Sequence, residues 1–119
     1  MSKITVEVAE PTRDEPVFAC DMTAIEPAER KEHAENISQL FGLAKTIEER
    51  PDGYAVEFDL DSEILMWAVR FISLERLCCP FFGFRIELKP KASTFWLNLY
   101  GPHGIKPFIE AELGLKHQA

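Results

Sequence analysis

Residues 61–84 read DSEILMWAVRFISLERLCCPFFGF, and this stretch decides the fold. Asp61 and Ser62 are residue types that cap the start of a helix. Pro80 ends the helix, because the residue before a proline is driven out of the helical region. Most positions between them are apolar, and of the polar residues only Glu63, Arg70 and Ser73 share a stripe. A helix that is apolar on most sides is buried on most sides, so we predict a central helix under a sheet or in a dimer interface.

A predicted β-hairpin lies on each side of this helix. Before the helix, residues 46–50 and 54–60 flank a Pro-Asp-Gly turn at 51–53, where proline presets φ and glycine accepts a positive φ. After the helix, residues 84–89 and 95–100 alternate between apolar and polar side chains around a second turn. This period of two is the pattern of a half-buried strand.

Two further helices are predicted. Pro27 is suited to the first position of a helix that ends near Gly42, and the apolar stripe of this helix includes His33. Pro107 begins a short helix that ends at Gly114.

Alternation at residues 4–8 predicts an N-terminal strand, and residues 17–20 predict a second short strand. The fold class is therefore α+β: an antiparallel sheet of two hairpins plus N-terminal strands, with helices packed mainly on one face. A length of 119 residues fits one domain, so we predict a single α+β domain over 1–119.

The charge balance limits the class of partner. The net charge of −7 repels phosphate backbones, and no basic stripe with interleaved aromatic residues is present. We therefore expect no direct nucleic-acid partner. The apolar stretch at 64–77 is too short and too charged to span a bilayer, and the first residues lack a signal-peptide pattern. We expect a cytoplasmic protein with no membrane partner, whose three cysteines stay reduced rather than joined in a disulfide framework.

The adjacent cysteines Cys78 and Cys79 are the most chemically distinctive feature. Neighbours on a helix point about 100° apart, so the two thiols diverge while the helix is regular. The backbone before Pro80 leaves the helical region, which lets Cys79 converge with Cys78. A helix C-terminus raises a thiol pKa, Arg76 offsets this in part, and the Cys-x-x-Cys redox spacing is absent. These features disfavour a redox enzyme.

Cys20 is the third thiol, and His33 follows it by 13 residues. Three thiolates with a histidine are the donor types of a tetrahedral zinc site, and thiolates also select soft metal ions. The spacing matches no standard zinc motif. The alternatives are that the cysteines are small buried hydrophobes and that His33 is a partly buried histidine bonded to a carbonyl.

Other polar residues have two interpretations each. His103 precedes a helix, where backbone N–H groups can hold an anion, or it belongs only to a tight turn at 101–104. The dipeptides Glu29-Arg30 and Glu75-Arg76 form acid/base sets or helix-orienting salt bridges. No Ser/His/Asp arrangement, phosphate loop or dinucleotide fingerprint occurs. A group of aromatic residues lines a small-molecule pocket or forms core: Trp67, Phe71, Phe81, Phe82, Phe84 and Trp96.

Residues 75–84, ERLCCPFFGF, resemble the Glu-Arg-x-Cys-Cys-Pro-Phe-x-x-Phe motif of a family of small, functionally uncharacterised bacterial proteins. The cysteine pair is also similar to a segment that follows the DNA-binding part of some mercury-resistance-type regulators. The likeness extends over most of the chain, at Cys20-Asp21-Met22, Glu29-Arg30, His33, Asp52-Gly53-Tyr54, Gly101-Pro102, Gly104 and Lys106. The resemblance implies effector or thiophilic-metal sensing. The sequence departs from those regulators in having no helix-turn-helix portion, so the resemblance does not extend to direct transcriptional control.

Three functions compete. The first is a thiolate-based binder of zinc or a soft metal ion, for sensing or scavenging, and it predicts that Cys20, Cys78 and Cys79 converge, with His33 as a further ligand. The second is a non-enzymatic interaction module, such as a homodimer, with inert buried cysteines. The third is a small thiol-redox protein or enzyme with an exposed cysteine beside Arg76. We place the metal binder first and favour a protein that is not an enzyme.

Overall fold

The computed structural model describes residues 19–115. A single turn of 3-10 helix at Met22–Ala24 precedes the main elements. These are α1 (Pro27–Phe41), β1 (Thr46–Arg50), β2 (Gly53–Asp59), α2 (Ser62–Cys78), β3 (Gly83–Glu87), β4 (Thr94–Tyr100) and α3 (Ile105–Leu113). The predicted strand at 4–8 lies outside the described residues. Of the predicted strand at 17–20, only residues 19 and 20 are described, and they lie in no strand.

The four strands form one antiparallel sheet in the order β1-β2-β4-β3. Both predicted hairpins form, and the inner strands β2 and β4 join them, with Val56 opposite Leu97. The predicted α+β class with an antiparallel sheet is confirmed.

One face of the sheet is covered. Its inner strands contribute six buried side chains, Tyr54, Val56 and Phe58 from β2 and Phe95, Leu97 and Leu99 from β4. Phe41 of α1 packs edge-on against Phe58, with ring centroids 5.9 Å apart. Phe71 of α2 packs edge-on against Phe84 of β3 at 5.8 Å. Glu110 of α3 accepts a hydrogen bond from the Tyr54 hydroxyl on the same face, so the helices pack mainly on one face, as predicted.

The ends of the helices follow local chemistry. Pro27 begins α1 and Gly42 ends it, as predicted. The Asp61 carboxylate accepts hydrogen bonds from the backbone N–H groups of Glu63 and Ile64, which caps α2. α3 begins at Ile105, two residues before the predicted start, because Gly104 with φ of 91° turns the chain into the helix.

α2 is less buried than its composition predicts. Its inner face is buried against the rest of the fold, whereas Met66, Val69 and Leu77 are 64%, 46% and 41% exposed. Within one chain α1 and the sheet cover only the opposite sides of the helix, so this face is not buried under the sheet, and the alternative of a dimer interface stays a prediction. Within residues 19–115, no helix is long and apolar enough to cross a membrane.

Candidate metal centre

The candidate site lies where the segment before α1 meets the C-terminal end of α2. The backbone N–H of Asp21 donates a hydrogen bond to the Cys78 carbonyl, at 2.9 Å. The Asp21 side chain accepts a hydrogen bond from the backbone N–H of Thr23, which fixes the 3-10 turn that follows. These two contacts hold Cys20 beside the end of α2, and its Cα lies 4.9 Å from that of Cys79.

Cys79 leaves the helix in the way the sequence predicts. Its backbone angles are φ −130° and ψ 71°, outside the helical region, and α2 ends one residue before it. Its N–H still donates to the Glu75 carbonyl at 2.8 Å. The turn brings the sulfurs of Cys78 and Cys79 to 3.7 Å from each other, although neighbours on a regular helix point apart.

Cys20 and Cys79 are joined by a disulfide bond across 59 positions of sequence. This corrects the expectation that all three cysteines stay reduced. That expectation rested on the cysteine count and the predicted compartment, neither of which reports how close two thiols lie in the fold. Cys78 is left as the one thiol among the three cysteines of the chain, and it is buried.

Glu75 is fully buried beside the sulfurs. Its Oε1 lies 2.8 Å from Nε2 of His33, which is also buried, and 3.9 Å from the Cys78 sulfur. Among residues 19–115, Glu75 Oε2 and His33 Nδ1 have no hydrogen-bond partner. Buried polar atoms without a partner are rare because they lose the hydration they had in the unfolded chain. These two atoms mark a polar site whose bonding capacity is not filled by the described side chains.

Glu112 of α3 completes the cluster. The Cys20 sulfur lies 3.3 Å from its Oε2. Burial raises the pKa of the Glu112 carboxyl and the nearby Glu75 raises it further, while His33 acts in the opposite direction. Burial likewise raises the pKa of the Cys78 thiol to about 12, with added repulsion from the two carboxylates. Burial and the two neighbouring carboxyl groups disfavour the Cys78 thiolate unless a cation is present.

Four side chains offer ligand atoms that all lie within 4.8 Å of one another: Cys20, Glu75, Cys78 and Cys79. Two sulfurs bound to a tetrahedral zinc ion at about 2.3 Å lie about 3.8 Å apart. The 3.7 Å between the Cys78 and Cys79 sulfurs matches that spacing. His33 is not in this group, because its Nε2 contacts Glu75 instead of a sulfur. Its contact with Glu75 fixes the position of one oxygen of that buried carboxylate.

Other residues that the sequence singled out lie apart from the sulfurs. Arg30 donates from Nε to the carbonyls of Met22 and Ile25, at 2.9 and 3.2 Å, and so ties the 3-10 turn to α1. Arg76 is exposed on the outer face of α2. His103 is exposed and lines a depression of about 340 Å³ together with residues 51–52 and 101–107. His103 is therefore not part of the cysteine cluster.

The aromatic residues pack against one another. Phe82 is buried and contacts the rings of Phe81, Phe84 and Phe108, with centroids 5.3 to 5.9 Å apart. These contacts support the core interpretation over the pocket interpretation for the phenylalanines of the group, whereas Trp67 and Trp96 are only partly buried.

Two acidic members of the site were not assigned as ligand-forming by the sequence. Glu75 was interpreted as half of a salt bridge or an acid/base set, and Glu112 was not singled out. A sequence signal exists for Glu75: it lies three residues before Cys78 on a helix predicted to be buried, which places both on one face. No comparable signal marks Glu112.

Comparison with models of known families, with curated proteins and with solved structures found no match for this chain.

Proposed function

We propose that the reduced chain binds one ion of zinc or a softer thiophilic metal, for sensing or scavenging. The thiolates of Cys20, Cys78 and Cys79 and the carboxylate of Glu75 are its ligands. The observation that carries this proposal is the convergence of the four donor atoms within 4.8 Å at a largely buried position. Three sulfurs and one oxygen make a set of four, the number that zinc takes in closed sites, and the sulfurs favour softer ions as well.

The charges around the cluster support a cation. Burying the Glu75 carboxylate costs free energy unless it is paired. His33 contacts one of its oxygens, and the other has no hydrogen-bond partner within the described part of the chain. A bound divalent ion would satisfy that oxygen and would lower the pKa of the Cys78 thiol, because a coordinating thiol is deprotonated by the metal.

The ligand set favours binding over catalysis. A catalytic zinc keeps one coordination position open for water or substrate, whereas four protein ligands close the coordination sphere. A thiol-redox enzyme is disfavoured by the one remaining thiol of the oxidised chain. Burial and the two carboxylates raise the pKa of Cys78 to about 12, and only the thiolate is a nucleophile.

The test is native mass spectrometry of the reduced chain with Zn(II) and, separately, with Hg(II). We expect one ion per chain, and weaker or absent binding in Cys20→Ser, Cys78→Ser and Cys79→Ser. His103→Ala is the matched control, because this exposed histidine lies outside the cluster, and it should bind like the unaltered chain. Binding that survives any single cysteine substitution unchanged would remove that sulfur from the site, and no binding by the reduced chain would refute the proposal.

A second candidate function is self-association through the outer face of α2. This face exposes three large apolar side chains, Met66, Val69 and Leu77. The occupant we infer is a second copy of the chain in an antiparallel arrangement. Such pairing brings acidic Glu63, in the first turn of one helix, toward basic Arg76, in the last turn of the other. Apolar contact with opposite charges at the two ends is the pattern of a self-complementary interface.

Analytical ultracentrifugation over a wide concentration range tests this candidate. We expect a dimer that dissociates in Met66→Glu. Leu88→Glu is the control, because Leu88 is 48% exposed outside α2, and it should leave the dimer intact. A chain that sediments as a monomer at every concentration contradicts the candidate without bearing on the metal site.

A further inference from the structure

We propose that the metal centre is gated by oxidation: the Cys20–Cys79 disulfide is the metal-free form of the same site, and its reduction by a low-molecular-weight thiol allows the ion to bind. This inference rests on the proposed function and adds its regulation. The observation behind it is that two of the four candidate ligands are the two halves of the disulfide.

The two states exclude each other chemically. A sulfur in a disulfide has no thiolate to give to a metal ion, since the thiolate is the ligand form. Oxidation therefore leaves only Cys78 and Glu75 of the four donors. Loss of a residue that merely orients a ligand already weakens metal binding by about 10–100-fold, so loss of two direct ligands should weaken it by more than about 100-fold.

The fold holds the two cysteine segments together by contacts other than the disulfide. The Asp21 N–H to Cys78 carbonyl hydrogen bond joins them through the backbone. Arg30 anchors the turn after Cys20 to α1 through the carbonyls of Met22 and Ile25. Reduction should therefore leave the three sulfurs near one another, so that an ion can bind without rearrangement of the fold.

The geometry also disfavours a disulfide between the two adjacent cysteines. The Cα atoms of adjacent residues lie about 3.8 Å apart, which is shorter than the usual range of about 4.4–6.8 Å for a disulfide. Cys78 and Cys79 are therefore a poor pair, whereas the 4.9 Å between the Cα atoms of Cys20 and Cys79 lies inside that range. Cys78 remains a thiol in the oxidised form.

The exposure of the cysteines determines the order of the thiol–disulfide exchange steps. Cys20 is partly exposed, whereas Cys78 and Cys79 are buried. The Cys20 thiolate attacks one sulfur of a small disulfide, RSSR, and RS⁻ leaves. The Cys79 thiolate then attacks the Cys20 sulfur of the mixed disulfide, and a second RS⁻ leaves. Two electrons pass from the two cysteine sulfurs to RSSR, the ion departs as the hydrated cation, and Cys78 regains a proton from solvent.

The experiment follows zinc and the disulfide separately in one set of samples. The reduced, zinc-loaded chain is treated with oxidised glutathione, released zinc is measured with a chromogenic chelator, and the disulfide is mapped by mass spectrometry of a non-reducing digest. We expect zinc release to parallel formation of the Cys20–Cys79 link, and reduced glutathione to restore binding. The Cys78→Ser variant separates disulfide formation from zinc binding, because it should form the same Cys20–Cys79 link when oxidised but bind zinc weakly when reduced.

The outcomes distinguish the two proposals. If the reduced chain binds zinc but the oxidised chain binds it within tenfold of the same affinity, the gate is refuted and the metal site stands. The gate is equally refuted if oxidation releases zinc through a link that involves Cys78. If the reduced chain binds no zinc at all, the proposed function fails and the gate fails with it, whichever link the digest shows.

Discussion

Cys78 is the residue whose environment differs most from that of an ordinary thiol. Its side chain is buried beside Glu75, and its pKa is raised from 9.0 to about 12, chiefly by burial. In the oxidised chain the thiolate fraction at pH 8 should therefore be about 1000-fold below that of an unperturbed thiol, because each pKa unit changes that fraction about tenfold. Alkylation by iodoacetamide should be correspondingly slow.

The measurement is the rate of Cys78 alkylation in the oxidised native chain and in the same chain unfolded in urea. The unfolded chain is the control, because it removes both burial and the neighbouring carboxylates. Equal rates in the two states would show that the thiol is neither buried nor electrostatically suppressed.

Glu112 gives a pH-dependent prediction at the same scale. Its pKa is raised in the folded chain, mainly by burial, so the folded state binds this proton more tightly than the unfolded state does. The stabilising contribution is therefore fully present below the ordinary pKa of 4.5 and is lost as the pH rises through the raised value. At pH 7 the Glu112 carboxyl therefore destabilises the fold relative to low pH, and Glu112→Gln should raise the free energy of unfolding by roughly a few tenths of a kcal/mol.

Urea denaturation of the oxidised, metal-free chain at pH 7 and pH 4 tests this. The gain in Glu112→Gln should be present at pH 7 and should vanish at pH 4. The exposed Glu87→Gln is the control and should change little at either pH. A variant less stable than the unaltered chain at pH 7 would contradict the sign.

Among the secondary-structure elements, α2 positions the site, and the contribution of its N-terminal cap to stability can be measured. Asp61→Ala removes the acceptor for the N–H groups of Glu63 and Ile64 and should cost about 1 kcal/mol of unfolding free energy. Ser62→Ala, at the neighbouring exposed position, is the control and should cost less. Metal binding should persist in both, because the ligands lie at the other end of the helix. Equal costs for the two variants in urea denaturation would mean that the cap does not stabilise α2.

The elements themselves were largely predictable from local chemistry. Pro80 and Asp61 set the bounds of α2 to within a residue, and the Pro-Asp-Gly turn at 51–53 set the first hairpin. The central pairing of β2 with β4 was not predictable, because it joins strands separated by a whole helix and a third strand. The sequence also left open whether the sheet or a second copy covers α2, since apolar composition alone does not show which neighbour covers each face.

At the scale of the whole molecule, the site gathers residues that are distant in sequence. Cys20 and Glu112, whose side chains are in contact, are 92 positions apart, and His33 and Glu75 are 42 apart. The sequence could supply the residue types and the convergence of Cys78 with Cys79, because Pro80 is a local signal. The proximity of Cys20 to Cys79, the disulfide between them and the contact of Glu112 with Cys20 could not be predicted, because they depend on tertiary packing.

A stability prediction belongs to the same scale. The disulfide closes a loop across 59 positions, and the chain-entropy description gives such a loop about 4 kcal/mol of stabilisation. Reduction of the metal-free chain should lower the free energy of unfolding by up to that amount. Zinc should restore part of it, because the ion joins the same segments and binds only the folded chain. Cys20→Ser, which cannot form the disulfide, should show no loss on reduction. A reduced chain as stable as the oxidised one would contradict the prediction.

X-ray absorption spectroscopy at the zinc edge of the reduced, zinc-loaded chain tests the central claim most directly, because it counts the ligands of the bound ion. We predict three sulfurs at about 2.3 Å and one oxygen at about 2.0–2.2 Å, from Cys20, Cys78, Cys79 and Glu75, with one sulfur fewer in Cys20→Ser. A shell with two or fewer sulfurs in the unaltered chain, or one in which a histidine nitrogen replaces the oxygen, would contradict the claim that these four side chains hold one ion.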